Sequence, residues 1–532
     1  MAEARRSGGR AFPAALAVGL LGASLFLLPA CGRRAPEAKR VILFIGDGMS
    51  AQTEVAASRY LRGTDDGLAW QGFAARAHVS TWDVNVYNAN ARRSGERPYS
   101  PSSFKPVLGY DARADGRAPR TGAVQRFPPG PATDSASAAT AMATGFKTDS
   151  GNIAWLPGDP PEGGLTTVAE EFRERRGASI GVVTTVPFDH ATPAAFVSHN
   201  ASRNSYYTGI KGYHGLGIAD EIILRTKPEV VIGGGHPILD NPGFDPKRGY
   251  ISETLYRALR ASPDYVFVER RAGQDGGRAL AEGAAAAVRG GRKLFGLFGG
   301  RGGNFEVPLA EDSPGSPRVA TATEENPSLA EATLAALECL GPDPDGFFLV
   351  VEQGDIDWAN HDNDFRAAVG SVADLDGAVR AAMAFVDRPG DAVDWANTVL
   401  VVTADHATGA LHLDPARPLG RGDLPRQEAR LEEEEAAPRH GSDRGVAANG
   451  VGIKAPEYLS PFRYPDGEVS YGTSGHTNEL VNLYVKGAGA RIFMRARGKW
   501  YPGLIMDNTQ VNAALRRALG LGRAGRGAAR VS

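Results

Sequence analysis

Carboxylates and imidazoles are grouped in this chain as a divalent metal centre would need them. Glu352, Asp357 and His361 follow one apolar run, and Asp357 and His361 stand four residues apart. A helix there would put both on one face. Asp405-His406 follows a second apolar run, and His476 sits in Ser474-Gly475-His476-Thr477-Asn478. Mixed imidazole and carboxylate donors suit Zn²⁺, and an all-oxygen subset suits Mg²⁺. Any one of these residues alone would ordinarily be a loop or capping group; the set carries the reading. The candidate nucleophile is Ser135, in Thr133-Asp134-Ser135-Ala136-Ser137 ahead of a run of small residues. At a helix start, backbone N–H groups and the helix dipole favour an anion. By itself, Thr-Asp-Ser before an alanine-rich run is a helix N-cap. The chain has no Gly-x-x-x-x-Gly-Lys-Ser/Thr phosphate loop and no His-Glu-x-x-His helix.

The elements that must position these groups are legible as short apolar runs ended by Gly, Asp or Glu. Val41–Ile45, Ile180–Val183, Val230–Ile232, Leu294–Phe298, Phe347–Val351 and Val399–Val402 read as strands buried on both faces. Between them Thr166–Arg176, Ser252–Ala261, Ala279–Val288, Ser328–Leu340 and Phe365–Phe385 read as helices. The alternation predicts an α/β fold, a central mostly parallel sheet sandwiched by helices. Ligands gather at the carboxyl ends of such strands. Asp47, Glu352 and Asp405 each stand just past one of those ends, so the sheet can bring them together. Two stretches, about 84–131 and 411–471, break the rhythm and read as surface insertions near that edge.

The chain has 532 residues with 59 basic and 61 acidic side chains. No basic surplus marks it as a nucleic-acid binder. Arg5, Arg6 and Arg10, an apolar run to Leu28, and Leu28-Pro29-Ala30-Cys31-Gly32 have the layout of an export signal. The small residue before Cys31 resembles a bacterial lipoprotein cleavage box. The expected organisation is therefore a signal peptide at 1–30 and a lipidated Cys31. A tether at 31–39, a catalytic domain at 40–515 and a flexible tail at 516–532 follow. An uncleaved anchor or an ordinary signal peptide are the alternatives, and all place the domain outside the cytoplasm, periplasmic or at the outer surface. Cys339 reads as a buried thiol.

In chain order, Ile45-Gly46-Asp47-Gly48-Met49, Thr133-Asp134-Ser135-Ala136-Ser137, His190-Ala191-Thr192-Pro193, Glu352 with Asp357 and His361, Thr403-Ala404-Asp405-His406 and Gly475-His476-Thr477 resemble the successive signatures of the alkaline phosphatase family. They span most of the chain, and together they are specific. The resemblance implies two zinc ions and one magnesium. Asp357, His361 and His476 would hold the first zinc. Asp47, Asp405 and His406 would hold the second, beside Ser135. Asp47 would bridge to a magnesium shared with Thr192 and Glu352, with His190 at that site, directly or through water. Arg203 lies at the family's spacing from His190 and would grip phosphate in a bidentate fork. Asp134 would orient Arg203. His190 stands where some bacterial members carry Asp, which implies a less oxyanionic third site able to accept zinc. Trp358 stands where other members carry Lys or His, which removes a cationic contact to phosphate.

The implied function is hydrolysis of small phosphate monoesters with broad specificity, through a phosphoserine on Ser135, in a homodimer tethered to a membrane. A phosphodiesterase or sulfatase of the same superfamily, and a non-catalytic metal- or phosphate-binding surface lipoprotein, are the other readings.

Overall fold

The computed structural model describes residues 38–110, 131–206, 215–237, 250–429 and 461–522. The signal segment, Cys31 and most of the tether lie outside these residues, as do 111–130 and 430–460 of the two insertions.

Ten strands form the central sheet: β1 (Arg40–Gly46), β2 (Ala75–Ser80), β3 (Ser179–Pro187), β4 (Val230–Gly234), β5 (Tyr265–Glu269), β6 (Lys293–Leu297), β7 (Phe347–Gln353), β8 (Thr398–Thr403), β9 (Val481–Gly487) and β10 (Ile505–Asp507). Their order across the sheet is β10-β2-β9-β8-β1-β7-β3-β4-β6-β5. Every neighbouring pair is parallel except those of β9, which runs antiparallel to both β8 and β2. Helices flank the sheet, so the expected mostly parallel α/β architecture is what the chain adopts.

The apolar runs explain why the centre forms. Every residue of β1, β7 and β8 is buried, and each buried Val, Ile, Leu or Phe contributes about 1.5–3 kcal/mol. Register then places the chemistry. Ile45 lies opposite both Thr403 and Glu352, so the residues following β1 and β8 emerge beside the end of β7. The strands that sequence reading omitted are β2, β5, β9 and β10. All but β5 lie on the flank beyond β8. β2 is half-buried and mixes Arg and His with small residues, so it lacks the continuous apolar signal.

Both insertions are anchored by structure of their own. The first begins as a helix, Val84–Arg93, capped by Asp83. It builds a separate apolar cluster from Trp82, Tyr87, Leu108, Tyr110 and Tyr501. The second is tied down by two short antiparallel ladders, Leu411–Leu413 with Val469–Tyr471 and Glu428–Ala429 with Phe462–Arg463. The part of the expected flexible tail that is described, 516–522, is folded onto the domain. Helix Asn508–Ala518 runs past 515, Arg516 pairs with Glu171, and Leu519 and Leu521 are buried in the core. An arginine-rich composition concealed that amphipathic end. Among the described residues no helix is long and apolar enough to cross a membrane.

Glu54, in helix Ala51–Arg62, is buried under β9 and accepts from the Tyr484 hydroxyl at 2.8 Å and the Asn482 amide at 3.2 Å. Burial pushes its carboxyl from 4.5 up to about 7. A group raised in the folded state favours folding most below its unfolded pKa, and that contribution is lost as pH rises through the folded value. Glu54→Gln is therefore expected to flatten the fall in stability between weakly acidic and neutral pH, by up to about 3 kcal/mol. Denaturant midpoints of both proteins across that window check this.

Candidate active site

The start of helix Ser135–Thr144 is set by local chemistry. Asp134 is extended at φ −105° and its carboxylate accepts from the Ser137 N–H, while Gly145 closes the helix at φ 84°. All ten helix residues are buried and all but Met142 are Ser, Ala or Thr, so the segment packs closely against its neighbours. Ser135, its first residue, turns its hydroxyl to His406, with Oγ 3.1 Å from Nε2.

His406 Nε2 also lies 3.4 Å from Asp47 Oδ1 and 3.4 Å from Asp405 Oδ2. Asp405 Oδ1 is occupied by the N–H groups of Gly48 and His406, at 3.1 and 2.8 Å. Gly48 has φ +65°, and a Cβ there would stand 2.5 Å from Asp357 Oδ1. Glycine thus lets the β1 turn lie directly on the carboxylate cluster.

Asp357 and His361 share one face of helix Asp355–His361, with His361 Nε2 3.2 Å from Asp357 Oδ2. His361 Nδ1 donates to the Ser474 carbonyl at 2.6 Å, and His476 Nδ1 donates to the Thr133 carbonyl at 2.8 Å. A carbonyl can only accept, so each ring is held with its proton on Nδ1 and, when neutral, a lone pair on Nε2. The two Nε2 atoms face one another at 3.1 Å. Two lone pairs that close repel unless a proton or a cation lies between them.

On the β3 side, Glu352 is fully buried at the end of β7 and accepts from the Thr184 hydroxyl. Burial pushes its carboxyl up to about 7, against the pull of Thr184 and Thr192. Thr192 is buried in the turn Ala191–Ala194 that follows His190. Burial, then the charges of Asp405, Asp357 and Glu352, hold Asp47 well above the carboxylate range. Asp357 is the contrast: burial would raise it, but His361, His476 and His406 hold it well below that range.

Three groups bring one ligand atom each within 4.8 Å of one another: Asp357, His361 and His476; Asp47, Asp357 and His406; and Asp47, His190 and Glu352. The residues fit metal ions. Both Asp47 oxygens, Asp405 Oδ2 and Glu352 Oε1 are buried and accept no hydrogen bond among the described residues. Buried carboxylate oxygens without donors are costly unless a cation meets them. The middle group differs from the expected one, having Asp357 in place of Asp405. Asp405 Oδ2 nonetheless borders the same space, through its 3.4 Å approach to His406.

Arg203 is buried beside this cluster. Its Nη1 donates to Asp134 Oδ2 at 2.9 Å, and its Nη2 lies 3.3 Å from His190 Nε2. Burial would raise Asp134, but Arg203 and the donors around it bring it down to about 2. The His190 ring meets Trp358 edge-on, with centroids 6.0 Å apart. All the sequence-predicted residues at these positions therefore converge on one edge of the sheet. Sequence reading missed Thr408, whose hydroxyl donates to Asp357, and Thr184; a hydroxyl on a strand or turn carries no signal of its own.

The alkaline phosphatase family model matches residues 114–521. The chain belongs to the alkaline phosphatase family. Alkaline phosphatase 3 of Bacillus subtilis is 33% identical over 278 residues, 52% of this chain and 49% of that protein. The chain thus spans about half the length of that relative. Streptomycin-6-phosphate phosphatase of Streptomyces griseus is 29% identical over 515 residues, 91% of each chain. The crystal structure of Thermus thermophilus alkaline phosphatase superposes with a TM-score of 0.56 at 22% identity, covering 92% of each chain. This last likeness shows a shared fold.

Proposed function

We propose that this chain hydrolyses phosphate monoesters through a phosphoserine on Ser135. The observation that carries the reading is the position of the Ser135 hydroxyl. It stands at a helix N-terminus, 3.1 Å from His406 Nε2, and the residue before it, Asp134, holds the Arg203 guanidinium. Zinc ions held by Asp357, His361 and His476 and by Asp47, Asp405 and His406, with magnesium at Asp47, Thr192 and Glu352, would supply acidity to the nucleophile and charge to balance the phosphoryl oxygens. His190 adjoins the third of these sites.

The chain's own groups do the rest. The helix N-terminus offers N–H groups and a positive dipole end to an anion. Arg203, held at Nη1 by Asp134, presents its guanidinium for charge-assisted hydrogen bonds to phosphoryl oxygens. The Ser135 oxygen, giving up its proton, attacks phosphorus in line as the P–O bond to the alcohol breaks and the departing oxygen takes a proton. Water then attacks the phosphoserine from the opposite side, breaking its P–O bond, releasing inorganic phosphate and returning a proton to the Ser135 oxygen. Recognition of the phosphoryl group alone leaves the alcohol unselected, so broad specificity follows. Streptomycin 6-phosphate, in the name of one relative, is a phosphate monoester and belongs to the same substrate class.

Comparing p-nitrophenyl phosphate with bis-p-nitrophenyl phosphate from neutral to strongly alkaline pH tests the reading. Faster monoester cleavage, rising toward alkaline pH, supports it; faster diester cleavage moves the chain to a phosphodiesterase. Trp358 adds a specific expectation. An indole edge beside His190 supplies no positive charge, so Trp358→Lys is expected to tighten product inhibition by phosphate severalfold. Inhibition constants for inorganic phosphate check it, and an unchanged constant counts against the role. The same reading includes export, a membrane tether through lipidated Cys31, supported by Leu28-Pro29-Ala30-Cys31, and a homodimer, as the family likeness suggests.

A further inference from the structure

We infer that Asp83 is a positioning residue for Arg203, acting through the Ser150–Gly151 turn; the inference rests on the proposed phosphate-binding role of Arg203. Asp83 is 1% exposed and caps helix Val84–Arg93, its Oδ1 accepting from the Val86 N–H at 2.8 Å. Its other oxygen turns away from that helix. Asp83 Oδ2 accepts from the Ser150 hydroxyl and lies 3.2 Å from the Ser137 hydroxyl. The Ser150 N–H in turn donates to Asn85 Oδ1 at 2.8 Å, so the insertion helix holds this turn at two points.

Gly151 is where the turn meets the site. Its N–H donates to both Asp134 oxygens at 3.0 Å, and its carbonyl accepts the Arg203 N–H at 2.8 Å. Asp134 then takes the Arg203 guanidinium at 2.9 Å and the Ser137 hydroxyl at 2.7 Å. Arg203 is therefore gripped at its backbone and at its head by groups that Gly151 joins. Asp83 fixes Gly151 by holding the residue before it. A buried acceptor of this kind is costly to remove, because the Val86 N–H and the Ser137 hydroxyl are buried and Ser150 loses the contact that fixes it. Burial also pushes the Asp83 carboxyl up to about 7, in keeping with its enclosure beside Asp134.

The test is a double-mutant cycle in the metal-loaded protein. Affinity for inorganic phosphate is measured by calorimetry, and kcat and KM by p-nitrophenyl phosphate turnover. Asp83→Ala is expected to weaken phosphate binding and raise KM roughly tenfold, with metal content unchanged. In an Arg203→Ala background the same substitution is expected to change phosphate affinity less than twofold. Ser150→Ala, which spares the helix cap, should reproduce the effect, and Asp83→Asn, which keeps a hydrogen-bonding partner for both Val86 and Ser150, should restore most of the affinity. An Asp83 effect that persists undiminished without Arg203, or an unaltered affinity in Ser150→Ala, overturns the inference. Should Asp83→Ala not fold, Ser150→Ala in both backgrounds decides alone. A wild-type protein without monoesterase activity would instead refute the proposed function, while the binding cycle would still read the coupling.

Discussion

Replacing Ser135 by alanine is expected to lower monoester turnover by about four orders of magnitude or more, with metal content and fold intact. The substitution removes one oxygen from a buried helix position flanked by Ala136 and Asp134. Its neighbours Ala136, Ala138 and Ala139 already show that the segment tolerates a methyl side chain, and Asp134, not Ser135, caps the helix. The effect on stability should stay near 1 kcal/mol. The effect on rate should be far larger, since no other hydroxyl stands 3.1 Å from His406 Nε2 among the described residues. Initial rates and melting temperatures of both proteins separate the two. A chiral phosphate monoester adds a second reading: two in-line displacements retain configuration at phosphorus. Inversion, or a Ser135→Ala protein within tenfold of the wild type, would mean that water attacks the substrate directly.

Chelation is expected to have the second largest effect, removing activity and lowering the melting temperature together. Asp47, Asp405, Glu352 and Asp357 crowd one buried edge, and four of their oxygens accept no hydrogen bond among the described residues. The facing Nε2 atoms of His361 and His476, 3.1 Å apart, add to that strain. A cation at each site would relieve both, so binding free energy becomes folding free energy. A ligand at a thousand times its dissociation constant contributes about 4 kcal/mol, so loss of several sites should be visible as a drop of many degrees. Calorimetry with and without chelator, and after re-addition of Zn²⁺ and Mg²⁺, measures it. Identical melting curves for chelated and metal-loaded protein would remove the metals from the reading.

Much of the sheet edge was legible because its strands are buried on both faces. Continuous apolar runs such as Val41–Ile45 and Val399–Val402 announce themselves, and the polar residue that ends each run marks where the chemistry collects. The four-residue spacing of Asp357 and His361 foretold a shared helical face, which the helix Asp355–His361 provides. The β2 and β9 flank was hidden because mixed, half-buried sequences such as Ala75–Ser80 resemble loops. Asp83 was invisible for a different reason. Its partners lie at Val86, Ser137 and Ser150, and only folding makes them one network. The ordered end of the chain was obscured by arginines, one of which, Arg516, is buried on Glu171.

The place of β9 in the sheet also sets an order of events during synthesis. β2 is made early, yet both of its sheet neighbours, β9 and β10, are made more than four hundred residues later. Closing that gap joins segments roughly four hundred residues apart, which makes it slow relative to the local βα units. His476 leaves the ribosome just ahead of β9, so the set with Asp357 and His361 is completed in the same late step. A nascent or truncated chain would carry β2 and β8 as open edges, prone to wrong pairing, and would lack the imidazole that finishes the metal centre. Strand insertion and completion of the Asp357, His361 and His476 set thereby become one event.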